Sequence, residues 1–172
     1  MLEIDTNLLE SKLPGFSNRF GKDVLTVSDH RGDLTIEIQP SVLRDALMFL
    51  KATLRFEILM DVFAMDYSKF DPPTRERFAV IYNLYSVSQQ RRVRLKVFLN
   101  EDKPEIESVH DVYASANWFE REAWDLFGIV FKGHPHLVRI LCHHDFEGHP
   151  LRKDYPSDGY QRLKSASPAA GI

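Results

Sequence analysis

The sequence contains a single cysteine, Cys142, among its 172 residues. One thiol excludes an internal disulfide bond, and it falls short of the roughly four ligands, mostly thiolates, that hold an iron–sulfur cluster or a structural zinc ion. We therefore expect this chain alone to hold no such centre.

Long hydrophobic runs and nucleotide-binding glycine motifs are also missing. The longest uncharged run covers residues 78–90, well short of the roughly 20 apolar residues that a membrane helix needs. The sequence has no Gly-x-Gly-x-x-Gly pattern, no P-loop and no Gly-x-Ser-x-Gly pattern. It therefore predicts no membrane span, no nucleotide site and no serine-hydrolase nucleophile.

The charge of the chain is nearly balanced, with a formal net charge of −3. We expect no nucleic-acid partner, because such partners select strongly basic surfaces. The first ten residues carry Glu3, Asp5 and Glu10 without an early lysine or arginine, unlike secretory or organelle targeting peptides. These features predict a cytoplasmic chain.

Hydrophobic periodicity predicts an α+β fold whose elements follow the order αββα-βββ-α, with helices packed on a mixed or antiparallel sheet. The expected elements are a helix ending at Leu13, a hairpin from Val24–Val27 and Leu34–Ile38 with a loop longer than two residues, a helix from Pro40 to Lys51, strands at Leu54–Ile58, Phe78–Val87 and Val93–Leu99, and a helix that Gly128 ends. Asp66 to Arg77 is expected to form an exposed loop, and Ser108 with Asp111 to form a capping box.

Three regions are expected along the chain. Residues 1–130 form the α+β domain, residues 131–160 form a loop-rich, extended segment that binds a partner, and residues 161–172 form a disordered tail. Within the second region only 137–142 has the pattern of a short helix or strand, because the surrounding prolines prevent longer regular elements.

The charged residues from Glu120 to Asp125 invite comparison with a catalytic acid/base pair. On a helix, however, Glu120 and Glu122 point about 200° apart and cannot share a substrate, whereas Arg121 and Asp125 are four residues apart and are expected to pair along the surface. These charges are therefore expected to fix the helix against its surroundings or a partner, and general acid/base catalysis is the less favoured alternative.

Histidine is concentrated between His134 and His149, next to Cys142 and Asp145. A metal site is the less favoured hypothesis, because Cys142, His143 and His144 are consecutive and neighbouring side chains on a helix or strand do not converge on one ion. We expect these histidines to make backbone hydrogen bonds and Cys142 to be a small core residue.

Aromatic and arginine side chains are frequent in the same stretch, as they are at protein interfaces. An equally weighted alternative is that Trp118 and Trp124 are core residues. The residues concerned are Trp118, Trp124, Phe127, Phe131, Arg139, Phe146, Arg152 and Tyr155.

The ordered motifs between Trp118 and Pro156 resemble the signature of the thirty-kilodalton subunit family of respiratory complex I, the NADH-quinone oxidoreductase, in its bacterial form. One departure is Cys142-His-His-Asp145, where the family usually has Thr-Asp-Tyr or a similar triplet. The residues that carry the resemblance, and that we expect at an interface, are Glu120, Arg121, Glu122, Asp125, Gly128, Gly133, His134, Pro135, Gly148, His149, Pro150, Arg152, Lys153, Asp154, Tyr155 and Pro156.

The resemblance implies a cofactor-free subunit of the peripheral arm, on the cytoplasmic side of the bacterial inner membrane, with membrane contact only through the complex. It implies that FMN and the iron–sulfur clusters reside on partner subunits. The implied neighbours are the large quinone-site subunit and the subunit with the terminal iron–sulfur cluster, which Arg152, Lys153 and Asp154 are expected to contact. The alternative is the equivalent small subunit of an energy-converting hydrogenase or a related dehydrogenase complex.

Overall fold

The structure is a computed structural model that describes residues 6–70, 76–158 and 161. Its helices are α1 (Thr6–Lys12), α2 (Phe16–Phe20), a short 3₁₀ turn (Pro40–Val42), α3 (Leu43–Ala52) and α4 (Ala116–Phe127). Its strands are β1 (Val24–His30), β2 (Asp33–Ile38), β3 (Ile58–Asp66), β4 (Phe78–Ser86), β5 (Arg91–Leu99), β6 (Glu105–Glu107) and β7 (Val130–Lys132).

Five strands form one sheet in the order β1-β2-β5-β4-β3. The pairs β1/β2, β3/β4 and β4/β5 are antiparallel, and β2/β5 is parallel. The predicted α+β class with a mixed sheet is confirmed, and so is the antiparallel meander of the last three long strands. The short elements α2, β6 and β7 were not predicted.

The core lies between one face of the sheet and the helices. Every second residue of β2 and β5 points into the core, as the period of a strand requires. The apolar residues of α3 recur with the period of a helix, so they form one face that packs against these strands. The continuous apolar run of β4 is buried on both faces along most of its length. This confirms β4 as an inner strand of the sheet.

The hairpin between β1 and β2 is tighter than predicted. His30 pairs with Asp33, so the loop consists of Arg31 and Gly32 alone, with φ angles of 56° and 90°. The prediction of a loop longer than two residues was wrong, because the strands continue through polar residues that gave no apolar signal. Two consecutive residues with positive φ are what a tight hairpin turn requires.

Strand β3 begins where the predicted strand ends. Residues 54–57 of the alternating stretch lie in the connection between α3 and β3 instead of in a strand. Within this connection Arg55 has a φ angle of 59°. The carbonyl of the buried Phe56 accepts a hydrogen bond from the Tyr113 hydroxyl, 2.7 Å away. The expected exposed loop also starts too early, because Asp66 closes β3 and is buried. Residues 71–75 of that loop lie outside the described part of the chain.

The predicted capping box is not present. Helix α4 begins at Ala116, after a turn at residues 109–113, while the Asp111 carboxylate pairs with Arg44 of α3 at 2.5 Å. Gly128 ends the helix in a left-handed conformation with a φ angle of 75°, as expected.

The expected boundary at residues 130 and 131 falls inside β7, which pairs with β6 and buries Phe131 in the core. The structure has no helix or strand at 137–142.

Within the described ranges, no helix is both long enough and apolar enough to span a bilayer. Apart from Gln161, the expected tail lies outside those ranges.

Candidate interaction site

Helix α4 carries two carboxylates without solvent exposure, Glu120 and Asp125. Glu120 accepts a hydrogen bond from the Ser108 hydroxyl at 2.5 Å and one from the backbone N–H of Val109 at 2.7 Å. Both donors are neutral, and burial raises the pKa of Glu120 to about 7. Glu120 therefore anchors the turn before α4 to the middle of the helix.

Asp125 organises the segment that follows β7. Its Oδ2 accepts hydrogen bonds of 2.8–3.0 Å from the backbone N–H groups of Ile140, Leu141 and Cys142, and its Oδ1 lies 2.5 Å from the Arg139 guanidinium. Burial opposes the charge, but these donors outweigh it and lower the pKa of Asp125 to about 2. Asp125 is therefore ionised near neutral pH.

The expected surface pair of Arg121 and Asp125 does not form. Arg121 instead donates to the carbonyl oxygens of Val138 and Arg139, each at 3.1 Å. The i, i+4 spacing permitted the pair, but the three N–H groups of the 140–142 turn and Arg139 give Asp125 better partners. The charges of α4 thus fix the helix against its surroundings, whereas Glu122 is exposed.

The Gly-His-Pro-Leu-Arg run at 148–152 caps the carboxyl end of α4. His149 Nδ1 donates to the Asp125 carbonyl at 2.9 Å, the Leu151 N–H to the Leu126 carbonyl at 3.0 Å, and Arg152 Nε to the Phe127 carbonyl at 2.6 Å. These carbonyls have no partner within the helix, and the positive charge of Arg152 also favours this end of the dipole. Segment 148–152 is thus a remote cap.

Gly128 makes the close approach of this cap possible. A Cβ atom at Gly128 would lie 2.5 Å from both Arg152 Nη2 and His149 Cδ2, and its φ angle of 75° is also one that other residues rarely adopt. Two separate requirements, the backbone conformation and the space, therefore favour glycine here.

The next two residues fasten the chain to the sheet. The Lys153 N–H donates to Asp66 Oδ2 at 2.8 Å, and the Asp154 carboxylate lies 2.8 Å from Arg77. Arg77 also pairs with the buried Asp66 at 2.9 Å and with Glu101 at 2.5 Å. Desolvation opposes ionisation of Asp66, but Arg77 and the other donors outweigh it and hold its pKa far below its usual range. We call residues 148–154 the clasp.

Asp66 and Arg77 were not predicted as site residues. The sequence did contain a signal for this pair. Asp66 and Arg77 have opposite charges and flank the loop between two antiparallel strands, where residues face each other across the strands. Arg152, Lys153 and Asp154, for which the sequence predicted contacts with a partner, make contacts inside the chain in this structure.

The remaining signature residues lie in two places, around the clasp and beside the amino-terminal end of α4. Tyr155 stacks on Phe146 with a centroid separation of 5.9 Å, and a Cβ at Gly148 would lie 3.0 Å from the Tyr155 ring. His134 Nε2 donates to the Asn117 carbonyl of α4 at 3.0 Å, after Gly133 with a φ angle of 78°. Pro135, Lys153 and Pro156 are exposed and Pro150 is half-buried.

The histidine cluster differs from the prediction in one respect. Ligand atoms of His143, His144 and Asp145 all lie within 4.8 Å of one another. The sequence argument concerned Cys142, His143 and His144 on a helix or strand, whereas His143, His144 and Asp145 lie outside any helix or strand and Cys142 is not among them. All three are exposed, and His134 and His149 bond to carbonyls elsewhere. Cys142 is half-buried.

An apolar patch lies beside Arg121. Trp118 is 60% exposed and stacks under the Arg121 guanidinium at 5.0 Å, while Val138 and Leu141, on the segment that Arg121 and Asp125 hold, are 38% and 63% exposed. Exposed apolar side chains grouped on an ordered surface are typical of sites that bind another protein. Trp118, Arg121, Val138 and Leu141 are hereafter the Arg121 patch.

The fold and this site define an α+β domain that uses the buried Asp66 and Asp125 to fix its carboxyl-terminal segment and presents an apolar patch beside α4. Residues 36–161 match the model of the family described as respiratory-chain NADH dehydrogenase, 30 Kd subunit. The chain belongs to this family.

Named relatives agree with the match. The chain is 44% identical over 144 residues to the C subunit of the NADH-quinone oxidoreductase of Geotalea uraniireducens, covering 84% of this chain and 85% of the relative. It is 44% identical over 145 residues to the mitochondrial NADH dehydrogenase [ubiquinone] iron-sulfur protein 3 of Candida albicans, covering 83% of this chain and 50% of the relative.

Two solved structures share the fold. A trypsin-resistant fragment of Nqo5 superposes with a TM-score of 0.67 at 34% identity, covering 75% of this chain and 98% of the fragment. A chain of the membrane-bound sulfane sulfur reductase, an archaeal respiratory membrane complex, gives a TM-score of 0.70 at 21% identity, with coverage of 92% and 94%. The second likeness concerns the fold alone.

Proposed function

We propose that this chain is a cofactor-free peripheral-arm subunit of a proton-translocating NADH:quinone oxidoreductase. It supports electron transfer from NADH through iron–sulfur centres to quinone by assembling and stabilising the quinone-site subunits. Its neighbours are the large quinone-site subunit and the subunit with the terminal iron–sulfur cluster, on the cytoplasmic side of the bacterial inner membrane. The catalytic groups, FMN and the clusters belong to other subunits.

The observation that carries this proposal is the use of the buried charges. Asp125 and Asp66 are fully engaged with donors of the same chain. Asp125 holds the backbone of residues 140–142 beside the exposed Arg121 patch, and Asp66 holds the backbone of the clasp at Lys153. Such an arrangement builds a rigid surface, which suits a subunit that positions its neighbours. A single cysteine also supplies too few thiolates for a cluster.

The test is recovery of the tagged chain from mildly solubilised native membranes, followed by identification of the co-purifying subunits and an NADH:quinone assay. Recovery with NADH-oxidising and quinone-site subunits is the expected result. Recovery with a nickel–iron hydrogenase subunit would instead support the hydrogenase alternative, and a chain recovered alone with bound metal would overturn both.

A variant of the Arg121 patch makes the test specific. Trp118→Ala with Leu141→Ser is expected to keep the melting temperature within a few degrees but to reduce recovery of the complex, because both side chains are mostly exposed. Met48→Ala is the matched control, since Met48 is 44% exposed on α3, away from the patch. Equal recovery of all three proteins would argue against the patch as an interface.

A further inference from the structure

The second face of the main sheet has no helical layer among the described residues. Helices α1 to α3 pack on the face that carries Leu34, Val93 and Leu95. Residues at the alternate positions of β5 point to the opposite side, and these are Arg92, Arg94 and Lys96. We call this second side the open face.

Cations line the open face along β5. Arg92 stacks over Tyr85 at 5.9 Å, Arg94 donates to Asn83 Oδ1 at 2.9 Å, and Lys96 lies 4.2 Å from the centroid of the Phe98 ring. In the described part of the chain, none of these three cations forms an ion pair. Their hydrogen-bond and ring partners are aromatic rings and neutral oxygens. Glu37 lies opposite Lys96 in the β2/β5 register, so the positive charge is concentrated at Arg92 and Arg94.

Apolar side chains line the same face along β3. Ile58 lies opposite Tyr85 in the register, and Phe63 lies opposite Ile81, while Met60 projects from a bulge between Leu59 and Asp61. Ile58, Met60 and Phe63 are 43%, 45% and 36% exposed. The open face is therefore basic over β5 and apolar over β3.

A groove of about 470 Å³ runs between these two halves, lined among others by Met60, Asn83, Arg92 and Arg94. Because β4 separates β5 from β3, the two stripes are two strand spacings, roughly 10 Å, apart. That separation matches the roughly 10–12 Å diameter of an α-helix with its side chains. A helix on a sheet is also the usual way to bury an unpaired sheet face.

The charges select the kind of helix. Arg92 and Arg94 favour carboxylates on one flank, whereas Asp33 and Asp61 also line the groove and disfavour a uniformly anionic ligand such as a nucleic acid or an acidic lipid surface. We infer that the open face docks an amphipathic helix of a neighbouring subunit, acidic on the flank over β5 and apolar on the flank over β3. This inference rests on the proposed function, because it names the chemistry of one partner surface.

Cysteine labelling in the assembled complex tests the docking site. Met60→Cys and Met48→Cys are placed separately in a Cys142→Ser background; the native side chains are 45% and 44% exposed, on opposite sides of the sheet. Both are expected to react with a maleimide at similar rates in the free chain. In the complex, labelling at position 60 is expected to slow at least tenfold. An unchanged rate at position 60 would overturn the inference.

Charge reversal tests the chemistry of the partner. Arg92→Glu with Arg94→Glu is expected to lower recovery in the complex at least fivefold and to restore labelling at position 60, with an unchanged melting temperature for the free chain. Lys22→Glu with Lys103→Glu, two exposed cations outside the strands of the main sheet, is the matched control. Protection at position 60 that survives the reversal would overturn the acidic flank.

A maleimide carrying a photoreactive group at position 60 identifies what covers the face. The expected cross-link is to a helical peptide of another subunit that contains aspartate or glutamate. A cross-link to a second copy of this chain, to lipid or to a peptide without carboxylates would overturn the inference. These failures leave the proposed function standing if the chain still co-purifies with NADH-oxidising subunits, whereas loss of that co-purification for the unmodified chain overturns the function itself.

Discussion

Glu120 and Asp125 lie five residues apart on α4, both without solvent exposure, yet only Asp125 faces a cation. Five residues place their side chains about 140° apart around the helix. Glu120 therefore points to the neutral donors of Ser108 and Val109, and Asp125 points to Arg139 and the 140–142 turn. One helix thus carries one carboxylate that titrates near neutrality and one that stays ionised.

Glu120→Gln is predicted to flatten the pH dependence of stability. Because burial raises the pKa of Glu120 from 4.5 to about 7, the stability from this group is complete below pH 4.5 and is lost as the pH rises through about 7. The full loss is about 3 kcal/mol. Urea unfolding between pH 5 and pH 8.5 measures this loss. We expect the free energy of unfolding of Glu120→Gln to increase, relative to that of the natural chain, as the pH rises.

The exposed Glu122→Gln is the control, and its curve is expected to run parallel to that of the natural chain. Parallel curves for Glu120→Gln as well would show that Glu120 does not titrate in this range.

Asp125→Asn is predicted to lower the free energy of unfolding by about 3–5 kcal/mol at pH 7, because it leaves the mostly buried Arg139 without its anion. Because the pKa of Asp125 is lowered from 3.8 to about 2, its contribution to the stability of the fold is present above pH 3.8 and is lost as the pH falls through about 2. Asp145→Asn, at an exposed site, should change little. Denaturant unfolding of Asp125→Asn, Arg139→Gln and the double variant gives the coupling, and strict additivity would contradict the pair.

Arg77→Gln is predicted to cost about 3 kcal/mol, because it leaves the carboxylate of Asp66 buried without its cation. Asp154→Asn is predicted to cost no more than about 1 kcal/mol, because the Asp154 side chain is 62% exposed. Thermal and urea unfolding of both variants compares the two costs. Equal costs would mean that Arg77 acts mainly through Asp154, contrary to the geometry.

Gly128→Ala is predicted to destabilise the clasp more than Gly133→Ala destabilises its own loop. Both glycines have φ angles near 75°, but only a Cβ at residue 128 meets neighbours, at 2.5 Å, whereas nothing lies within 4 Å of one at residue 133. The second variant thus isolates the backbone cost of roughly 1–2 kcal/mol. Limited proteolysis is expected to cut within residues 140–158 faster in Gly128→Ala, and equal rates would remove the steric argument.

The sequence predicted those elements whose apolar pattern is strong. The unbroken run of β4 and the alternation of β5 were assigned correctly, because such patterns reflect burial directly. Strand β3 was misplaced because its own span contains charged residues, Asp61 and Asp66, while the connection before it happens to alternate. Asp66 is compatible with a buried strand end only because Arg77 and the Lys153 N–H reach it.

The site was harder to predict than the fold, because its partners are distant in sequence. Local spacing suggested Arg121 for Asp125, but the structure uses Arg139, 14 residues further on. Likewise the cap of α4 comes from His149 and Arg152, which no helix-end rule identifies. The resemblance of the motifs indicated that these residues matter without indicating what they contact.

The clasp also sets the order in which a new chain can complete its fold. The carbonyls at the end of α4 and the carboxylate of Asp66 receive donors from residues 149–153, so during translation these hydrogen bonds cannot form until that segment has left the ribosome. Because chains are made at roughly 5–20 residues per second, α4 waits more than a second for its cap after its own last residue is added. A chain cut short before the clasp thus lacks the finished surface.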